Sequence, residues 1–249
     1  LNATEALKTA ILGLMTPGDR AVTTAASDNS VLRPLYKLRD EQGCLVDVAR
    51  VDARGQLDWD SYCDLLGVRA VGDDFEVVET RAVRLVAVTH ASNLTGDIYD
   101  APRMAAAAHA AGALFVLDAA QTAGVVPIDM AADGYDVVCF TGHKSLYGPQ
   151  GTGGLAVAQD LEIRPLKEGG SGMRSYEERQ PAVMPEHLEA GTLNAHGLAG
   201  LCAGVSYVQE QGVTQVAARL QALSARLEAG LRQIPRVTVY GGAPERRTG

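Results

Sequence analysis

Three things are scarce in this 249-residue sequence, and each scarcity excludes a class of protein. Apolar runs are short. Ala110 to Val116 and Leu85 to Val88 are among the longest, far below the roughly 20 residues that a membrane-spanning helix needs, so no membrane anchor is expected. Basic blocks are absent, and 22 basic against 30 acidic residues leave a formal charge of −8, which gives no electrostatic footprint for nucleic acid. Cysteine is sparse: Cys44, Cys63, Cys139 and Cys202 stand too far apart for a disulfide framework or the close pairing of a zinc site. They read as small buried hydrophobes in a reducing, cytoplasmic setting. No internal repeat or low-complexity tract is present.

What the sequence does have is 47% hydrophobic residues, enough for one large core. Strand-length β-branched runs alternate with longer stretches of helical period, the pattern of βαβ units. The expected fold class is therefore α/β, with a mostly parallel central sheet flanked by helices. The expected strands are Ala21 to Thr24, Leu45 to Val48, Val83 to Thr89, Leu114 to Leu117, Val137 to Phe140 and Gly154 to Ala158. The expected helices are Thr4 to Leu14, Ser30 to Arg39, Trp59 to Leu66 and Pro102 to Ala111, with 67–81 as a surface excursion. Near the C-terminus Val216, Leu220, Leu223, Leu227, Leu231 and Ile234 recur three or four residues apart, an apolar helical stripe expected in the core and ended by Pro235. Val237 to Tyr240 then reads as a strand. This suggests a large domain over 1–235 and, over 236–249, the start of a smaller C-terminal domain. A first residue that is not methionine and a last one so soon after this strand give the chain the look of a fragment.

Ligands of open parallel sheets bind beyond the carboxyl ends of the strands. Three polar runs occupy such places: Thr89-His90-Ala91-Ser92-Asn93, Asp118-Ala119-Ala120-Gln121 and Thr141-Gly142-His143-Lys144. All three should face one crevice. Asp118 follows five uncharged residues, so a carboxylate there calls for a cationic partner. A protonated pyridine nitrogen would serve; so would an arginine, and the residue could instead cap a helix. Lys144 is expected at the lip of a buried strand, where desolvation favours the free amine and imine-forming chemistry, although a surface loop lysine fits the same position. Gly142 and the glycines of Gly148 to Gly154 allow tight turns close to a ligand. Asn2-Ala3-Thr4 opens a helix, which is either an anion site or an ordinary cap.

Taken together, Asn2-Ala3-Thr4-Glu5-Ala6-Leu7, the three runs above and Glu189-Ala190-Gly191-Thr192-Leu193-Asn194 resemble, in order, the class V aminotransferase and cysteine desulfurase family. These are fold-type I enzymes dependent on pyridoxal 5′-phosphate (PLP). Each motif is short, but the five in sequence span nearly the whole chain. The resemblance implies a PLP-binding large domain in which Lys144 is the catalytic lysine that holds the cofactor as a Schiff base. It further implies that Asp118 pairs with the pyridine nitrogen, Gln121 bonds the ring hydroxyl and Asn93 lies beside it. Ala3, by its backbone, with Thr4, Thr141 and His143 would hold the phosphate. Thr192 would reach the phosphate of a neighbouring subunit, implying a homodimer.

One departure stands out. The family usually places a ring-stacking histidine just after the second strand, whereas here the segment is Ser27-Asp28-Asn29-Ser30. A carboxylate cannot stack, so either another side chain fills that face or activity is altered. Cysteine desulfurases also use a nucleophilic cysteine on a C-terminal loop that has no counterpart in this chain, and Cys202, in an apolar helical stretch, is expected to be core. The resemblance favours removal of sulfur from L-cysteine, with a small amino-acid substrate and a sulfur-acceptor protein as partners. An aminotransferase or lyase acting on another amino acid is the alternative, and a non-catalytic scaffold is the reading from a different class.

Overall fold

A computed structural model describes residues 1–243 and 246–248. Among these described residues eight strands and six α-helices follow one another as α1 (Ala3–Leu14), β1 (Arg20–Thr24), α2 (Asn29–Gln42), β2 (Leu45–Ala49), α3 (Trp59–Leu66), β3 (Val68–Val71), β4 (Asp74–Val77), β5 (Val83–Thr89), α4 (Ala101–Ala110), β6 (Leu114–Asp118), β7 (Val137–Thr141), β8 (Gly153–Val157), α5 (Ala195–Gln211) and α6 (Val213–Leu231). Six strands form one sheet in the order β2-β1-β5-β6-β7-β8, parallel except that β8 runs antiparallel to β7. The expected α/β class and every expected strand up to residue 158 are present. The excursion over 67–81 contains the antiparallel hairpin β3-β4, which packs on α4 outside the main sheet.

The central strands are apolar on both faces because helices cover both. Leu85 and Ala87 of β5 face a layer made by α1 and α2, with Leu7, Ile11 and Leu35. The alternate residues Val86 and Val88 face α3 and α4, with Tyr62, Leu66 and Met104, as the two-residue period of a strand requires. Local chemistry sets the helix ends: Asn2, Asp28, Asp58, Asp100 and Asn194 each cap a helix start by accepting a backbone N–H. Gly43 closes α2 in the left-handed region, at φ 68°.

The C-terminal expectations change most. No strand forms over Val237 to Tyr240, because those residues find no strand partner; residues 244, 245 and 249 of the expected second domain lie outside the described residues. The α6 stripe is not core. Leu223 and Leu227 are exposed, as is Ile234 just beyond the helix, and the buried residue of α6 is Glu228. A helical stripe shows that a helix has one apolar face, not what covers it. Cys202 is also exposed, one position off the face of α5 that buries Gly197, Leu201, Gly204 and Val208, and Cys63 is only half-buried.

Candidate active site

Strand order reverses at β1, which has β2 on one side and β5 on the other. Crevices form at such switch points, beyond the carboxyl ends of the strands. Register then brings the polar residues together, since Thr89 pairs with Asp118 across β5 and β6, and Asp118 with Cys139 across β6 and β7. Thr141 ends β7. After it the chain turns sharply: the Gly142 amide donates to the Thr152 carbonyl at 3.0 Å and the Gly148 amide to the Gly142 carbonyl at 2.8 Å. A Cβ on Gly142 would lie 2.1 Å from the Thr152 hydroxyl, so this turn needs glycine.

One cleft results, lined by Ala3, Thr4, Asn93, Asp118, Gln121, Thr141, His143 and Lys144, together with Asn2, Asp28, Ser30, Thr89 and Ala120. Eight of the nine residues expected at the site from sequence thus meet in one place. Thr192 does not. It lines a separate hollow with Gly151, Lys167 and Asn194.

At one end of the cleft the first turn of α1 presents amides that have no carbonyl partner within the helix, and such a terminus attracts anions. Hydroxyls surround it: Thr4 Oγ1 lies 2.8 Å from Ser30 Oγ, and Thr141 Oγ1 lies 2.9 Å from His143 Nδ1. In the same cleft Asp118 is only 3% exposed and accepts the amide of Ala120 at 3.0 Å. Burial pushes its carboxyl up to about 6; the nearby Asp28 charge adds to this, while the Ala120 amide, Lys144 and the Thr89 side chain pull the other way. A buried carboxylate with one amide and an elevated proton affinity is a group prepared to receive a cation.

Lys144 differs from its expectation. It is exposed, because the turn at Gly142 carries it out of the strand β7, while it still lines the cleft.

The cleft also holds Asp28, at the position where the family resemblance leads one to expect a ring-stacking histidine, and Ser30, which the sequence does not mark as a site residue. Asp28 ends the loop after β1 and caps α2, its Oδ1 accepting the Ser30 amide at 2.8 Å while Oδ2 accepts from Asn93 Nδ2 at 3.2 Å. Burial raises its carboxyl, but the Ser30 hydrogen bonds and the Lys144 charge outweigh it and leave the group below its ordinary range. For Ser30 the sequence offered only the Asp-x-Ser start of a helical pattern, which predicts a cap and says nothing of a cleft.

Among the described residues no cluster of His, Cys, Asp or Glu is placed to hold a metal, and no cysteine lines the cleft. No helix among them is long and apolar enough to cross a membrane. The arrangement offers one ligand an anion-binding helix start, a buried carboxylate suited to a cationic group and a primary amine that can join a carbonyl.

Known proteins show the same organisation. Over 245 residues the chain is 34% identical to a "Probable cysteine desulfurase" of Methanothermobacter thermautotrophicus, an alignment covering 96% of this chain and 58% of that protein. It is 34% identical over 231 residues to a cysteine desulfurase of Gluconacetobacter diazotrophicus, covering 92% and 51%. In structure it matches an apo cysteine desulfurase of Thermococcus onnurineus NA1 with a TM-score of 0.87 at 29% identity, covering 99% of this chain and 60% of that one. The chain spans little more than half the length of these proteins. With residues 1–249 also matching the family model of class-V aminotransferases, the chain belongs to the class-V aminotransferase family.

Proposed function

We propose that this chain is the PLP-binding large domain of a cytoplasmic, cysteine desulfurase-like enzyme. The observation that carries the reading is the single cleft in which an anion-ready helix terminus, the buried Asp118 and the Lys144 amine converge. Ala3, Thr4, Thr141 and His143 would hold the phosphate. Asp118 would face the pyridine nitrogen, and its poor solvation finds compensation in that cation. Gln121 and Asn93 would border the ring hydroxyl. When bound, PLP supplies an electron sink that allows bonds near the substrate α-carbon to break. Lys144 would bind the cofactor through its Nζ and, once displaced by the substrate amine, carry protons to and from the α-carbon.

In the overall reaction the carbon–sulfur bond of L-cysteine breaks, its sulfur joins an acceptor thiol as a persulfide, and a proton takes the sulfur's place to give alanine. The acceptor thiol comes from outside the described residues, since none of Cys44, Cys63, Cys139 or Cys202 lines the cleft. Similarity to proteins named cysteine desulfurase supports this choice of substrate. Thr192, which lines a hollow that does not include Lys144, would serve the site of a second copy in a homodimer.

The test is to add PLP to the full-length protein, record the visible spectrum, reduce with borohydride and map the labelled peptide. A visible band and a label on Lys144 are expected, followed by alanine formation from L-cysteine. No band, or a label on Lys8, Lys37 or Lys167 instead, would overturn the cofactor assignment. A Lys144 label with no alanine formed would overturn the substrate and leave an aminotransferase or lyase.

A further inference from the structure

Asp28 does more in this cleft than a helix cap requires. Capping uses one oxygen and no charge; Ser, Thr and Asn cap about as well. Here Oδ1 serves the cap through the Ser30 amide, and Oδ2 is turned to Asn93 in the cleft, 3.2 Å from its Nδ2. The charge also has a cost, because it adds to the difficulty of ionising the buried Asp118. A residue selected only to start α2 would avoid that cost.

The charged and titratable groups that share the cleft with Lys144 come from three places: Asp28 before α2, Asp118 at the end of β6 and His143 beside Lys144 after β7. Asp118 is committed, on the functional reading above, to the far end of the ring. That leaves Asp28 as the anion available to the lysine end, and Asn93 as the neutral donor that fixes its orientation.

We infer that Asp28 is a positioning residue of the cofactor site: its carboxylate orients Asn93 and supplies the negative charge that keeps the Lys144 nitrogen protonated once it is joined to PLP. This rests on the PLP assignment. It gives a polar, anionic function to the wall where the family resemblance leads one to expect an aromatic ring, and it means that stacking is not what this wall contributes.

The experiment titrates the visible band of the PLP-loaded, full-length protein against pH for the wild type and for Asp28→Asn, Asp28→Ser and Asp28→Glu. Asn and Ser preserve the cap without the charge; Glu preserves the charge. The spectral midpoint is expected to fall by about one pH unit in Asp28→Asn and Asp28→Ser, the shift typical of removing a nearby opposite charge. Asp28→Glu should return it most of the way to the wild-type value. An unmoved midpoint in both neutral variants, or a Glu variant that shifts as far as they do, would overturn the inference while leaving PLP binding intact. A wild-type protein with no visible band would overturn this inference and the cofactor assignment together.

Discussion

Replacing Asp118 with Asn should make the cofactor-free protein more stable at neutral pH. Asp118 is nine-tenths or more buried, and its carboxyl rises from an ordinary 3.8 to about 6 in the fold, chiefly through burial. For an acid whose folded value is raised, the native state binds more protons than the unfolded state between those two values, so stability falls as pH rises through that window and levels off above it. At about 1.4 kcal/mol per pH unit the full effect is about 3 kcal/mol. Asn keeps an oxygen for the Ala120 amide and never ionises. The variant should therefore gain up to about 3 kcal/mol at pH 7 and nothing below pH ~4. His90 acts in the opposite direction nearby. Burial lowers its imidazole from 6.5 to about 4, so the unfolded chain holds the extra proton there and stability rises with pH across that range. In the wild type the two slopes largely offset; in Asp118→Asn the His90 slope stands alone. Urea unfolding of the full-length, cofactor-stripped protein at several pH values between 4 and 8 gives both curves. Parallel curves, or a variant less stable than wild type at pH 7, would refute the claim that Asp118 is a strained, unpaired acid awaiting a cation.

Two other substitutions probe how the scaffold holds the site. A Cβ on Gly204 of α5 would lie 2.2 Å from the carbonyl oxygen of Leu146, so Gly204→Ala must lift α5 from the loop that follows Lys144; we expect a loss of about 1–3 kcal/mol together with weaker PLP binding, measured by thermal unfolding and by spectral titration. Tyr62, fully buried, donates its hydroxyl to the Met104 carbonyl at 2.9 Å; Tyr62→Phe should cost about 1 kcal/mol with PLP binding unchanged, since the bond joins α3 to α4 on the face of the sheet opposite α1.

Periodicity and punctuation made much of the fold legible. The runs Val83 to Thr89 and Val137 to Phe140 could be read as buried strands because helices cover both faces of a parallel sheet, and the polar residues after them marked the cleft because that is where such sheets leave room. Motif order made Lys144, Asp118 and their companions readable as one site. Periodicity failed where a partner surface decides the outcome. The stripe through Leu223 and Leu227 is real, yet exposed, and Val237 to Tyr240 has strand composition but pairs with no strand among the described residues.

What the sequence by itself determined was the alternation of elements, the helix caps and the order of the chemical motifs, all set by interactions between residues close in the chain. Tertiary structure alone decided that Lys144 stands exposed, that Asp28 turns one oxygen from its helix cap toward Asn93, and that Thr192 lines a different hollow. Each depends on where a turn points and on which residues from distant segments surround it, and solvation and charge pairing follow from that arrangement in space.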